Sequence, residues 1–186
     1  MKQKAVFLDR DGTINKETDL LKNLSQLRLL PNVGKAIKKL NLLKYLVIII
    51  TNQPVIARGW ATEQDVDYAH SVLLERLKRA GARVQGIYYC PHHPNANLKQ
   101  YRIRCSCRKP NIGMIKKALR IFNIDPNKSF IVGDRTADIL AGKRAGLKSI
   151  LVKTGYGGQD RKYQAAADFQ AKNLYRAVDI IKKYGL

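Results

Sequence analysis

The sequence has few cysteines, no long hydrophobic run and no recognisable leader. Its 186 residues include three cysteines, all between positions 90 and 107, so we do not expect a fold stabilised by disulfides. No stretch approaches the ~18 consecutive apolar residues of a membrane-spanning helix, and the first residues do not resemble a signal peptide. We therefore expect a soluble, cytoplasmic protein that does not enter a membrane.

Acidic residues are also scarce, because 14 Asp and Glu stand against 35 Lys and Arg, for a formal charge of +21. Such a charge attracts nucleic acids and phosphorylated small molecules alike. The basic residues run from Lys2 to Lys183 without forming a basic tail, and no aromatic-plus-basic recognition motif accompanies them. Charge alone therefore leaves nucleic-acid binding open without favouring it.

Internal repeats and low-complexity tracts are missing, and the length with 45% hydrophobic residues suits a single domain spanning 1–186, which we expect to be a monomer. Short apolar runs predict strands at 5–8, 46–50, 86–89, 129–132 and 149–152. Helical spacing predicts helices at 33–43, 62–81, 115–122, 138–145 and 174–181. This alternation predicts an α/β fold, a three-layer doubly wound parallel sheet.

Two connections are too long to be simple turns. Residues 14–31 contain several leucines, among them Leu20, Leu21 and Leu27, which predicts that they fold over the neighbouring site. Residues 90–110 combine turn residues with Cys, His and basic side chains, which indicates an inserted loop. Neither of the first two strands is followed by an insertion large enough for a separate cap domain.

Polar side chains follow three of the predicted strands: Asp9 and Asp11, then Thr51, Asn52 and Gln53, then Asp134 and Asp138. A bare D-x-D is common in surface turns, but parallel strands bring all these ends to one edge of the sheet. Arg108 and Lys109 end the inserted loop and add positive charge. Carboxylates for a metal, polar groups for phosphate oxygens and a lysine together predict a phosphoryl-transfer site. Asp138 is as well explained as the cap of the following helix.

The inserted loop carries two pairs of possible metal ligands, Cys90-x-His92 and Cys105-x-Cys107, with twelve residues between the pairs. Three thiolates and an imidazole suit a closed tetrahedral Zn²⁺ site, and a zinc ion would hold together a loop that is poor in apolar residues. His93 is the alternative ligand. His70 is interpreted as an ordinary helix-face residue.

Four segments resemble, in order, the motifs of the haloacid dehalogenase (HAD) superfamily phosphatases: Asp9-Arg10-Asp11-Gly12-Thr13, Thr51-Asn52-Gln53, Lys109-Pro110 and Gly133-Asp134-Arg135 with Asp138. Three further segments resemble the subgroup of heptose-bisphosphate and histidinol-phosphate phosphatases: Ile56-Ala57-Arg58-Gly59, the run 88–94 and the run 105–110. The resemblance extends over about residues 4–155 and implies a Mg²⁺-dependent phosphatase. The implied reaction removes the 7-phosphate of a heptose 1,7-bisphosphate.

The resemblance also implies roles for individual residues. Asp9 would attack phosphorus, and Asp11 would protonate the leaving oxygen and later activate water. Mg²⁺ would be held by the Asp9 carboxylate, the Asp11 backbone carbonyl and Asp134. The implied substrate-binding residues are Thr51, Asn52, Gln53, Lys109, Arg58 and Arg108, and the implied zinc ligands are Cys90, His92, Cys105 and Cys107.

Two departures from the family pattern concern the sugar. The family has a glycine and an aromatic residue where this chain has Glu17-Thr18-Asp19-Leu20, and a small Ser-Gly where it has Pro54-Val55. Both leave the acids intact but put the particular sugar in question. The alternatives are a histidinol-phosphate or nucleic-acid-end phosphatase of the same fold. An alternative of another class is a non-catalytic basic module that binds nucleic acid.

Overall fold

The computed structural model of the protein describes residues 2–17 and 26–185. Within these ranges the strands are β1 Ala5–Leu8, β2 Leu46–Asn52, β3 Gly86–Cys90, β4 Phe130–Gly133, β5 Lys148–Val152 and β6 Phe169–Ala171. The α-helices are α1 Val33–Leu42, α2 Pro54–Ala57, α3 Glu63–Arg79, α4 Gly113–Ile121, α5 Thr136–Arg144 and α6 Leu174–Tyr184. Single 3₁₀ turns lie at Lys99–Tyr101 and Pro126–Lys128.

The described strands form one sheet in the order β3-β2-β1-β4-β5-β6, and all its pairings are parallel. Leu8 in the central strand lies opposite Ile49 on one side and Val132 on the other. The residues that follow β1, β2 and β4 therefore emerge at the same edge, where doubly wound sheets bind their ligands.

Helices cover both faces of this sheet. Val6 and Leu8 belong to the core that includes α1, α3 and α6, whereas Ala5 and Phe7 belong to the core that includes α4 and α5. Side chains alternate along a strand, so a strand with helices on both sides must be apolar at every position. All four residues of β1 are fully buried, and the predicted three-layer α/β class with no large cap is confirmed.

Local sequence signals explain several element boundaries. Thr62 accepts a hydrogen bond from the backbone N–H of Asp65, whose carboxylate accepts the N–H of Thr62 at 2.8 Å, so a capping box begins α3. The three-residue strand β6 and the one-turn helix α2 were not predicted, because both are too short to show a period in the sequence.

The described parts of the connection 14–31 lie against each other, since Lys16 N–H donates to the Arg28 carbonyl and Leu30 N–H to that of Ile14. Ile14 and Leu27 are buried in the core. Leu20 and Leu21 lie outside the described residues, so the predicted cover over the site stays a prediction, as does a single domain over 1–186. Among the described residues, no helix is both long and apolar enough to cross a membrane.

Candidate active site and metal sites

A buried lysine joins the strand ends at the edge of the sheet. Lys109 Nζ lies 2.7 Å from Asp9 Oδ1 and 2.6 Å from Asp138 Oδ1, and it also donates to the Ile50 carbonyl at 2.8 Å. Lys109 is 4% exposed and Asp9 is 6% exposed. Charges buried this deeply are stable only when they are paired. The inserted loop thus places its terminal lysine directly beside the predicted nucleophile.

Asp134 completes a group of three carboxylates, because ligand oxygens of Asp9, Asp134 and Asp138 all lie within 4.8 Å of one another. Both Asp138 oxygens are engaged, one by Lys109 and the other by the N–H of Arg135. Asp134 Oδ2 accepts the N–H of Tyr156 at 2.7 Å, whereas its Oδ1 is buried with no hydrogen-bond partner. A buried carboxylate oxygen normally has a partner, and a bound cation would supply one for this oxygen.

Two glycines allow the chain to approach Asp134 closely. Gly12 and Gly155 have positive φ angles of 78° and 59°, and a Cβ on either would collide with the Asp134 carboxylate. A Cβ on Gly155 would also lie 2.7 Å from the Cα of Gly12. Only glycine, which has no Cβ, leaves room for the Asp134 carboxylate at these two positions.

Burial and mutual repulsion raise the pKa values of two of these acids. The pKa of Asp9 is raised to about 6 by burial and by the charges of Asp138 and Asp11, although Lys109 opposes the shift. The pKa of Asp134 is raised to about 9 by burial and by the charges of Asp9 and Asp138. With all three carboxylates ionised, the single ammonium of Lys109 would leave an excess of negative charge, which a divalent cation would offset.

Asp11 lies in a different environment from Asp9. Burial alone would raise its pKa, but the Arg10 guanidinium and hydrogen bonds from Arg10, Asn15 and Gln53 hold the pKa below its usual range. Arg10 donates to both oxygens of Asp11, at 3.1 and 2.8 Å, while Asn15 and Gln53 add contacts at 2.8 and 2.9 Å. The pKa values of the two acids of the first motif are thus shifted in opposite directions by their different neighbours.

His70, interpreted from the sequence as an ordinary helix-face residue, lies on the buried face of α3. It is 6% exposed, and its Nε2 lies 3.1 Å from the Arg10 guanidinium. Burial, and then the charge of Arg10, lower the pKa of His70 to about 3. Spacing along α3 could show only that His70 shares a face with apolar residues, because its partner lies sixty positions away in the sequence.

The three polar residues after β2 make different contacts. Thr51 is buried at the pocket wall, and its hydroxyl accepts from Gln53 Nε2 at 2.8 Å. The side-chain amide of Asn52 donates a hydrogen bond to the Lys109 carbonyl at 3.1 Å and accepts one from the Lys109 backbone N–H at 3.0 Å. Gln53 lies behind Asp11 and joins it to Arg10. Asn52 and Gln53 therefore position the charged groups around the pocket.

A cavity of about 670 Å³ opens above the acids. Its wall includes the predicted Asp9, Asp11, Thr51, Asn52, Arg58, Arg108 and Lys109. Arg58 packs over the ring of Trp60, with 5.0 Å from the guanidinium carbon to the ring centroid. The cavity is thus acidic at its base and carries arginines on its wall.

Sequence reasoning did not assign a role to the segment 153–163, which forms another side of the cavity. Tyr156 donates its N–H to the Asp134 carboxylate, and Gly158 donates its N–H to the Asp134 backbone carbonyl. Asp160 accepts from both the N–H and the hydroxyl of Thr136 at the start of α5. Lys162 and Tyr163 also line the cavity. The signal was present, because this glycine-rich stretch follows β5 at the same edge of the sheet.

The four predicted zinc ligands come together in a second group, distinct from the acids. Ligand atoms of Cys90, His92, Cys105 and Cys107 all lie within 4.8 Å of one another. The sulfur pairs are 3.0 to 3.4 Å apart, too far for a disulfide, and His92 Nδ1 lies 3.4 Å from the sulfur of Cys107. Four soft or borderline donors converging on one point fit a closed tetrahedral metal site.

His93, the alternative ligand, lies elsewhere. Its Nδ1 accepts the N–H of Asn95 at 3.1 Å, and the residue lines the cavity. The Arg108 guanidinium donates to the His92 carbonyl at 3.0 Å. The cysteine cluster is thus linked directly to the chain segment that carries Arg108 and Lys109 into the active-site cavity.

Comparison with known proteins shows which family the chain resembles. A family model described as HAD-hydrolase-like matches residues 106–177. The solved structure of a D,D-heptose 1,7-bisphosphate phosphatase from B. bronchiseptica, complexed with magnesium and phosphate, matches with a TM-score of 0.86 and 28% identity over 97% of this chain and 99% of that chain.

Curated relatives extend the likeness over most of the chain. A D-glycero-beta-D-manno-heptose-1,7-bisphosphate 7-phosphatase of Haemophilus ducreyi is 42% identical, covering 83% of this chain and 86% of the relative. A D-glycero-alpha-D-manno-heptose-1,7-bisphosphate 7-phosphatase of Photorhabdus laumondii is 40% identical, covering 83% and 85%. The chain belongs to the heptose 1,7-bisphosphate phosphatase family of HAD-like hydrolases, which confirms the resemblance of its motifs.

Proposed function

We propose that this chain is a Mg²⁺-dependent phosphomonoesterase that removes the 7-phosphate of D-glycero-D-manno-heptose 1,7-bisphosphate. The observation that carries the proposal is the contact of Lys109 with Asp9 beside the unpartnered buried oxygen of Asp134. This base of the cavity suits a cation and a phosphoryl group together. The names of the relatives supply the sugar.

In the first step, a carboxylate oxygen of Asp9 attacks phosphorus and the bond from phosphorus to the sugar oxygen breaks. Asp11 gives its proton to that leaving oxygen, and an aspartyl-phosphate remains on Asp9. Asp11 is held ionised in the free protein, but a phosphate dianion entering beside it raises its pKa toward the protonated form. Lys109 offsets negative charge on the transferring group.

In the second step, water attacks the phosphorus of the aspartyl-phosphate. Asp11, now ionised, accepts a proton from this water, and the bond from phosphorus to Asp9 breaks to release inorganic phosphate. The hydrogen bonds from Arg10, Asn15 and Gln53 favour the ionised form that this step requires. Asp11 thus acts in both steps, and in the free protein it already has the ionised form that the second step requires.

The carboxylates of Asp9 and Asp134 and the backbone carbonyl of Asp11 are the proposed ligands of Mg²⁺. The excess negative charge and the unpartnered Asp134 oxygen fit this ion, which prefers a few carboxylates together with phosphate oxygen and water. When bound, Mg²⁺ supplies positive charge to the phosphate oxygens. Asp138 instead holds Lys109 and the N-terminus of α5.

Zn²⁺ is the proposed occupant of the cysteine cluster, where it has a structural role. The four donors leave no open coordination position, so the site offers no place for a substrate. Free thiols of this kind suit a reducing compartment, which supports a cytoplasmic location.

The walls of the cavity support a substrate with a second phosphate. Arg58, Arg108 and Lys162 line the cavity, while the acids and Lys109 lie at its base. A second phosphate group would therefore meet basic side chains when the first one reaches Asp9. The relatives named for the beta and alpha anomers are nearly equally similar to this chain, so the anomer is left to experiment.

The test is a comparison of phosphate release from both heptose bisphosphate anomers, histidinol phosphate and a 3′-phosphorylated oligonucleotide, each with and without Mg²⁺. We expect one heptose anomer to give the highest kcat/KM, and only with Mg²⁺. Asp9→Asn should lower it by about 10³-fold or more while the fold and the zinc content stay unchanged. Turnover by purified Asp9→Asn protein at close to the parent rate would refute the mechanism, and a preference for histidinol phosphate or for the oligonucleotide would refute the substrate.

A further inference from the structure

Arg10 is a charged side chain with no exposure to solvent at the back of the active site. Two of its guanidinium nitrogens, Nε and Nη2, donate to the oxygens of Asp11, and Nη2 also donates to Gln53 Oε1 at 2.9 Å. The third nitrogen, Nη1, lies 3.1 Å from His70 Nε2. His70 thus contacts the side of the guanidinium that Asp11 leaves open.

The contact with Arg10 determines the protonation state of the His70 ring. A guanidinium only donates hydrogen bonds, so Nε2 must accept and can carry no proton. The remaining proton of the neutral ring is then on Nδ1. A protonated His70 would place a second positive charge beside Arg10, and burial with that charge lowers its pKa to about 3.

The surroundings of His70 hold it in place. The ring is buried on α3 and lies 5.4 Å from the ring of Tyr89, measured between centroids. Helix α3 begins at a capping box formed by Thr62 and Asp65, which fixes its first turn. His70 Nε2, an acceptor on a helix with a defined start, therefore orients the Arg10 guanidinium. The guanidinium in turn orients the carboxylate of Asp11 by donating to both of its oxygens.

We infer that His70 is a positioning residue for Asp11, acting through Arg10 from the far side of the guanidinium. This inference rests on the proposed function, in which Asp11 gives a proton to the leaving sugar oxygen. A loss of its alignment should matter most when the leaving group is a weak acid and needs that proton. It should matter little when the leaving group departs readily as an anion.

The experiment compares kcat/KM for a heptose bisphosphate and for p-nitrophenyl phosphate, because kcat/KM reports the steps up to release of the leaving group. His70→Phe keeps a ring beside Tyr89 but removes the acceptor. We expect it to lower kcat/KM about tenfold for the sugar phosphate and no more than about twofold for the nitrophenyl ester. His70→Gln, which supplies an acceptor oxygen without a ring, should restore most of the loss.

Two results would overturn the inference: an equal fall with both substrates in His70→Phe, or a failure of His70→Gln to recover. Asp11→Asn is the reference for the proposed function. If Asp11→Asn does not discriminate between the two leaving groups, the role of Asp11 is wrong. If Asp11→Asn discriminates and His70→Phe does not, only the positioning role of His70 is wrong.

A measurement on the unmodified protein covers the case in which His70→Phe does not fold. The ¹⁵N shifts of the His70 ring distinguish the two neutral tautomers. We expect the form protonated on Nδ1 near neutral pH, as the contact with Arg10 requires. A ring protonated on Nε2 would exclude this contact and overturn the inference.

Discussion

The acid site and the cysteine cluster are both groups of potential metal ligands, but different parts of the fold position them. Asp9 and Asp134 follow directly on the parallel strands β1 and β4, and Asp9 is already paired with Lys109. The cysteine cluster lies mostly in a loop, and its ligand atoms approach chiefly one another. Only Cys90, the last residue of β3, belongs to the sheet.

The difference predicts what each proposed metal is needed for. The strands themselves place the acids, so the proposed Mg²⁺ would add charge to a site that the sheet has already built. Between β3 and α4 the loop that carries Cys105 and Cys107 contains only the 3₁₀ turn Lys99–Tyr101, so the proposed Zn²⁺ would hold the loop itself. Mg²⁺ should therefore govern turnover, and Zn²⁺ should govern structure. Three experiments sharpen or break this contrast.

Among the variants of these three experiments, Lys109→Met has the largest expected effect, because it removes the ammonium group that lies between Asp9 and Asp138. The unpaired buried carboxylates should lower the free energy of unfolding by about 3 kcal/mol, and kcat/KM should fall about 10²-fold. Denaturant unfolding and steady-state kinetics measure the two effects.

The double variant Lys109→Met with Asp138→Asn is the matched control. It removes one of the unpaired charges, so it should recover part of the stability and none of the activity. If Lys109→Met alone is as stable as the parent protein, the acid site does not depend on this pairing, and the account of how the sheet builds it is wrong.

Loss of zinc should have a smaller effect on turnover and a clear effect on structure. We expect Cys107→Ser to lose the bound metal, to lower Tm by roughly 5 °C or more, and to lower kcat/KM about tenfold because the loop carries Arg108 and Lys109. Metal content, thermal unfolding and kinetics give the three values.

Omitting Mg²⁺ provides the contrast to this variant, because it should abolish turnover while Tm changes little. Equal effects of the two metals on Tm would break the comparison between a site built by the sheet and a site built by its metal.

The smallest expected effect is on the free energy of unfolding at low pH, and it comes from His70, which contacts Arg10 behind the acid site. The pKa of His70 is lowered to about 3 in the folded protein, so between about pH 6.5 and 3 the unfolded chain binds a proton that the folded chain does not. Stability is therefore lost as the pH falls through this window. At pH 5 the loss from His70 should be about 2 kcal/mol.

His70→Gln has no titrating group at this position and should lose about 2 kcal/mol less than the parent between pH 7 and pH 5. Zinc content measured at each pH separates this loss from protonation of the cysteine cluster. Identical pH profiles for the parent and the variant would show that His70 is not buried in its neutral form.

The sequence predicted five of the six described strands and most of the candidate site residues, from apolar runs and from motif spacing. Strands such as 46–50 are apolar at every position because helices cover both faces, and the motif spacing names Asp9, Lys109 and Asp134 without any coordinates. The strand β6 could not be predicted because three residues carry no period. The contact of His70 with Arg10 could not be predicted because no local pattern links α3 to the turn after β1.

By itself, the sequence determined the α/β class, the pair of acids and the four candidate zinc ligands, because these follow from periodicity and from residue types at fixed spacing. The family came from the resemblance of its motifs. Only the tertiary structure decided how each acid is held. Lys109 neutralises Asp9, Arg10 and Gln53 hold Asp11 ionised, and Asp134 keeps a buried oxygen without a partner. Protonation depends on burial and on neighbouring charges, and those neighbours are distant in sequence and meet only in the folded chain.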